Sequence, residues 1–170
     1  FLRERFKNLL KDRKIRNDII DAVDSSHSGH DFLILHNKCL IINKNISKDV
    51  CKKIIETYKR ASNIIEQEFK NKKKEILGQP ESFLFKKEEE KNLYSKINEI
   101  RQYFSSARKH ESYDKTLKIL AEAKPTTDNF FDNVIVNDEN LEIKKNRLEL
   151  LQMFCKTYNN FMDFSKVEGA

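Results

Sequence analysis

A chain of 170 residues with 38% apolar and 35% charged residues can bury one core of its own, and it holds no apolar run approaching the roughly 20 residues that span a bilayer. Its net charge of +6 and pI near 9.1 favour a polyanionic partner, nucleic acid first, although Lys-rich usage also follows from compositional bias. Three scattered cysteines (Cys39, Cys51, Cys155) without histidines at ligand spacing argue against a zinc site and read as reduced, mostly core thiols.

The elements follow in chain order. Leu2, Phe6 and Leu9 form a first helical stripe, and Ile15, Ile19 and Val23 a second after a basic corner at Arg13 and Lys14. Asp31 is placed to cap a third helix carrying Phe32, Leu35, Cys39 and Leu40. Val50, Ile54, Tyr58, Ala61, Ile65 and Phe69 step by three or four through a long fourth helix. Gly78, Gln79 and Pro80 punctuate the link to another long element with Leu93, Ile97, Ile100 and Phe104. Tyr113, Leu117 and Leu120 mark a shorter helix stopped near Pro125, and Leu148, Leu151, Cys155, Tyr158 and Met162 the last one. Val134, Ile135 and Val136 are too short a run to decide between strand and coil. With only three Gly and two Pro, this pattern predicts an all-α helix bundle of about six to eight helices. The charge runs at residues 70–74 and 86–91 read as solvated helix faces.

Catalytic constellations are missing. The sequence has no glycine-rich phosphate loop, no GxSxG and no HExxH. The four histidines (His27, His30, His36, His110) lack partners at metal-ligand spacing, and Glu88, Glu89 and Glu90 point around a helix axis rather than converging. The residues therefore favour a binding module, with no catalytic residue, metal or cofactor in this chain. It starts at Phe1 inside an amphipathic pattern, with no initiating Met and no secretory signal, and reads as a piece of a longer cytoplasmic polypeptide.

Four ordered segments carry a family resemblance: FLRERFKNLL with NDIIDAV (residues 1–10 and 17–23), KRASNII (59–65), ESFLFKKEEEKNLY (81–94), and the long stretch 123–167, which contains FFDNVIV, NRLELL and DFSK. Together they resemble the C-terminal, DALR-type anticodon-binding domain of bacterial glycyl-tRNA synthetase beta subunits, over residues 1–170 as one all-helical domain. The resemblance implies a ligase that works in protein biosynthesis. Its alpha subunit uses ATP and Mg to activate glycine, its beta subunit binds the anticodon stem-loop of glycine tRNA, and the assembly is an alpha2-beta2 heterotetramer. The related domain of arginyl-tRNA synthetase is the nearer alternative, and a helical protein-interaction domain the more distant one. The loop at residues 25–30 and the Asn-rich stretch at 43–45 depart from the pattern.

Candidate RNA contacts follow from side-chain chemistry. Arg3 and Arg5 flank the first stripe within a segment, residues 1–18, that holds seven cations against three acids. Lys59, Arg60 and Asn63 flank Ala61. Arg pairs with phosphate or guanine and stacks on an unpaired base, while Asn supplies the paired donor and acceptor that a base edge requires. Asn133, in FFDNVIV, faces either RNA or a helix boundary. Asn146 and Arg147, beside the Leu148/Leu151/Cys155 stripe, either lock the last helix or meet phosphate.

Overall fold

The computed structural model describes residues 2–26, 31–70, 78–106 and 112–168. Within them the chain forms eight α-helices and two short 3-10 turns, and no strand. The helices are α1 (Leu2–Asp12), α2 (Asn17–Ser26), α3 (Phe32–Asn45), α4 (Asp49–Phe69), α5 (Glu88–Ser106), α6 (Tyr113–Ala121), α7 (Lys124–Asn133) and α8 (Leu141–Asn159). The turns are Ser82–Leu84 and Phe164–Lys166. The segment 134–136 is coil, so the short apolar run forms no strand.

Local chemistry sets several boundaries. Asp31 caps α3 by accepting from the Leu33 and Ile34 amides, both at 3.1 Å, and Asn140 does the same for α8 with Glu142 and Ile143. Pro125 stands in the first turn of α7, where its missing N–H costs nothing, so it opens a helix rather than stopping the preceding one. Lys14 ends α1 with a φ of 62°, and the Ile15 amide beyond it reaches back to the Leu10 carbonyl at 3.2 Å.

α4 and α8 pack on each other at the centre. α6 and α7 lie against α4, α5 closes on α7 and α8, and α2 pairs with α3 at the other end. α4 turns Cys51, Ile54, Ile55, Tyr58 and Ala61 inward, and α8 contributes Leu150, Leu151, Phe154 and Tyr158. The C-terminal DFSK motif acts as a plug. Phe164 is buried between Tyr58 and Tyr158, with ring centroids 5.7 and 6.0 Å away, while Asp163 caps the turn through the Ser165 amide. The Tyr158 hydroxyl donates to the Leu120 carbonyl at 2.7 Å, joining α8 to the end of α6.

Three expectations change in detail. Leu2 and Leu9 lie on the open side of α1, 69% and 44% exposed, and Leu10 is the residue of that helix that enters the core. On α3, Leu40 is 41% exposed and Ile42 is buried instead. The charge run at residues 86–91 is not uniformly solvated, because Glu90 is fully buried. His27, His30 and His110, and most of the run at 70–74, lie outside the described residues.

Candidate nucleic-acid interface

The candidate residues fall into three environments. At one end, α1 lies on α2 through charge. Arg3 Nε approaches Asp24 Oδ1 at 2.5 Å and its Nη2 donates to the Asp24 carbonyl at 2.9 Å, while Lys7 Nζ stands 2.8 Å from Asp24 Oδ2 and 3.3 Å from Asp21. Partial burial alone would raise the Asp24 carboxyl, but hydrogen bonds from Lys7 and Arg3 outweigh it and hold Asp24 below its usual range. Arg3 is thus engaged in holding α1 to α2, and Arg5 is exposed on the same helix. Beyond them the basic corner carries exposed Lys11, Arg13 and Lys14, with Arg13 Nη1 2.7 Å from His36 Nε2 on α3.

At the start of α8 the polar residues are spent internally. Asn146 brackets the backbone of Glu81, accepting from its amide at 2.7 Å and donating to its carbonyl at 3.1 Å. Arg147 is 3% exposed. Its Nε donates to Glu90 Oε1 at 2.8 Å, and its Nη1 donates to the Ile135 carbonyl at 2.8 Å and to Asp138 at 2.7 Å. Glu90 uses its other oxygen to accept from the amides of Lys86 and Lys87, at 2.8 and 2.7 Å. A buried guanidinium needs such a partner set, since an unpaired charge in the interior costs several kcal/mol. One network therefore fastens the segment before α5 and the loop after α7 to the first turns of α8. Of the two roles open to Asn146 and Arg147, the structure shows the lock. Glu90 was missed as its partner because a carboxylate inside a charge run looks solvated; its position at the third residue of a helix, able to cap the amides before it, was the available signal.

The third environment is the outer surface of α4 where it passes α7. Lys124 of α7 stands 3.5 Å from Glu56, and one turn further along α4 the Arg60 guanidinium lies over the Phe131 ring, 4.4 Å from its centroid. Among the described residues Asp132 is the nearest carboxylate to Arg60, a long ion pair at 3.7 Å, beyond hydrogen-bond reach. Asn63, one turn on from Arg60, is exposed, and Lys59 is half-buried. Asn133, at the end of α7, is exposed and bonds back to Asn129 through its carbonyl and side chain, both at 2.9 Å. Phe131 sits at the core's rim and carries Arg60. Arg3 and Arg5 on α1 and Lys59, Arg60 and Asn63 on α4 do not share a cluster, since α1 packs on α2 whereas Arg60 leans on α7.

No group of His, Cys, Asp or Glu among the described residues could hold a metal ion, and no described helix is long and apolar enough to cross a membrane. What the described surface offers is exposed cations, amides and the Arg60 guanidinium supported by Phe131 on a helical frame.

A family model described as the DALR anticodon binding domain matches residues 54–168, which run from the second turn of α4 to the C-terminal plug. The chain belongs to this family. Curated relatives match beyond that span. A glycine–tRNA ligase beta subunit from Sulfurihydrogenibium sp. (strain YO3AOP1) is 34% identical over 174 residues, covering 100% of this chain and 24% of that protein. One from Clostridioides difficile (strain 630) is 32% identical over 98% of this chain and 23% of its own length, and one from Rickettsia canadensis (strain McKiel) 29% identical over 98% and 24%. The chain spans about a quarter of the length of these relatives. The DALR match includes α4 with Arg60 and Asn63, α7 with Asn133, and α8 with the Arg147 lock, while α1 with Arg3 and Arg5 lies outside it.

Proposed function

We propose that this chain is the tRNA-reading module of a glycine–tRNA ligase beta subunit, binding the anticodon stem-loop of glycine tRNA in support of aminoacylation performed by an alpha subunit. The observation that carries this reading is the joint match: a DALR anticodon binding domain over residues 54–168, inside a whole-chain likeness to beta subunits of that ligase. The composition agrees, with a net charge of +6 to attract a polyanion. In the same proposal, the whole protein pairs with alpha subunits as an alpha2-beta2 assembly in the cytoplasm, and ATP and Mg serve the partner's chemistry.

Within this reading the RNA-facing residues are Lys59, Arg60, Asn63 and Asn133 on α4 and α7. Arg5, with the exposed basic corner, supplies longer-range attraction, and Arg3 contributes through its exposed portion. Asn146 and Arg147 are left out of this surface because they are buried. The test is binding of the chain to a glycine-tRNA anticodon hairpin, against the same hairpin with its anticodon changed, across a salt series. A preference for the glycine anticodon that survives added salt is expected, because base readout does not depend on counterion release. Equal binding to both hairpins that vanishes with salt would refute it.

A further inference from the structure

The Arg60–Phe131 pair differs from the arrangements of Arg3, Arg13 and Arg147. Arg3 and Arg147 are held by hydrogen bonds to carboxylates, and Arg13 meets the His36 ring nitrogen. Arg60 is held by a ring, with only a long ion pair to Asp132 beside it. Its guanidinium lies over Phe131 at 4.4 Å, its side chain remains 48% exposed, and its closest carboxylate is at 3.7 Å, so it makes no hydrogen bond among the described residues. A stacked guanidinium has lost much of its rotamer freedom while keeping one planar face and its N–H edge open. Phe131 in turn is anchored by a T-shaped contact with the fully buried Phe130, ring centroids 5.5 Å apart, so the support is continuous with the core.

We infer that Arg60, braced by Phe131, is a stacking platform for one unpaired RNA base, with its N–H edge directed at a flanking phosphate and the Asn63 amide, one turn along α4, at the base edge. This inference rests on the reading that the chain binds a tRNA hairpin. A planar π-face takes any base, a lysine offers no such face, and the free amide beside it supplies the donor–acceptor pair that stacking alone lacks. The partner is single-stranded RNA rather than duplex, because a paired base presents no free face.

The experiment is fluorescence titration of the chain with the glycine-tRNA anticodon hairpin carrying 2-aminopurine in its loop, alongside a fully paired duplex of equal length. Arg60→Lys keeps the charge and removes the plane. It is expected to weaken hairpin binding by roughly tenfold, to abolish the loop fluorescence change and to leave duplex binding and the salt slope unaltered. Phe131→Leu should weaken hairpin binding in the native background and have little further effect in the Arg60→Lys background. The helical circular dichroism signal checks that each variant is folded. If the wild-type chain prefers the hairpin but Arg60→Lys binds it equally well, or if the two losses are simply additive, the platform is wrong while the tRNA reading stands. If the wild-type chain does not distinguish hairpin from duplex, the tRNA reading itself fails.

Discussion

The buried Lys38 offers the sharpest test of how this bundle is balanced. Lys38 sits on α3 at 9% exposure, donates from Nζ to the Phe161 carbonyl and lies over the Phe161 ring at 4.5 Å. Among the described residues it pairs with no carboxylate. Burial lowers its ammonium from 10.5 to about 8, with the neighbouring Cys39 opposing that fall only weakly. The drop corresponds to about 3 kcal/mol of free energy disfavouring the charged form in the folded state. Its sign follows from linkage. Below pH 8 both folded and unfolded chains carry the charge and the full cost is present; between 8 and 10.5 the folded chain sheds the proton first, and stability rises with pH. Lys38→Met preserves much of the length and the apolar stem, removes the charge and loses the carbonyl and ring contacts, so a net gain of about 2 kcal/mol is expected at pH 7. The assay is urea unfolding of both chains at pH 7, 8, 9 and 10. The variant's advantage should shrink with rising pH, by at most about 1.4 kcal/mol per unit, and titrations common to both chains cancel in the difference. A pH-independent difference, or a variant less stable at pH 7, would refute the reasoning.

Arg147→Met should destabilise the chain by about 3–5 kcal/mol, because Glu90 then remains buried without its cation. Adding Glu90→Gln, which retains an acceptor for the amides of Lys86 and Lys87, should recover part of that loss in a double-mutant cycle by urea unfolding; additive losses would refute the coupling. Lys14→Gly should raise the urea midpoint by up to about 1 kcal/mol equivalent at an unchanged m-value, since a left-handed φ strains a residue that carries a Cβ. A fall in the midpoint would instead mean that the Lys14 side chain makes a larger folded-state contribution. Burial raises the thiols of Cys39 and Cys155 to about 12 and that of Cys51 to about 11, so a disulfide reagent at pH 8 should react slowly with the native chain and titrate all three thiols in denaturant. Rapid uptake of one equivalent by the native chain would contradict that burial.

The helical class, seven of the eight described helices and the Asp31 cap were legible in the sequence, because apolar spacing, capping chemistry and the scarcity of glycine and proline act over a few residues; α7, which opens at Pro125, was read as a stop and missed. The family was legible too, since the order of four separate segments is itself a sequence property. What lay beyond reach were contacts between residues distant along the chain. Arg147 looked as free as Arg60 until α8 met residues 81–90 and the loop after α7, which bury one guanidinium among carboxylates and leave the other exposed on a phenylalanine. Lys38 occupies a position that any solvated lysine could occupy until Phe161, 123 residues later, closes over it. Leu9 and Leu10 satisfy the same periodicity, and only the docking of α1 on α2 decides which one is covered. Helical periodicity shows that a face exists. Whether a charged side chain on it meets water, a ring or a carboxylate depends on which element packs there, and that is set by the bundle as a whole.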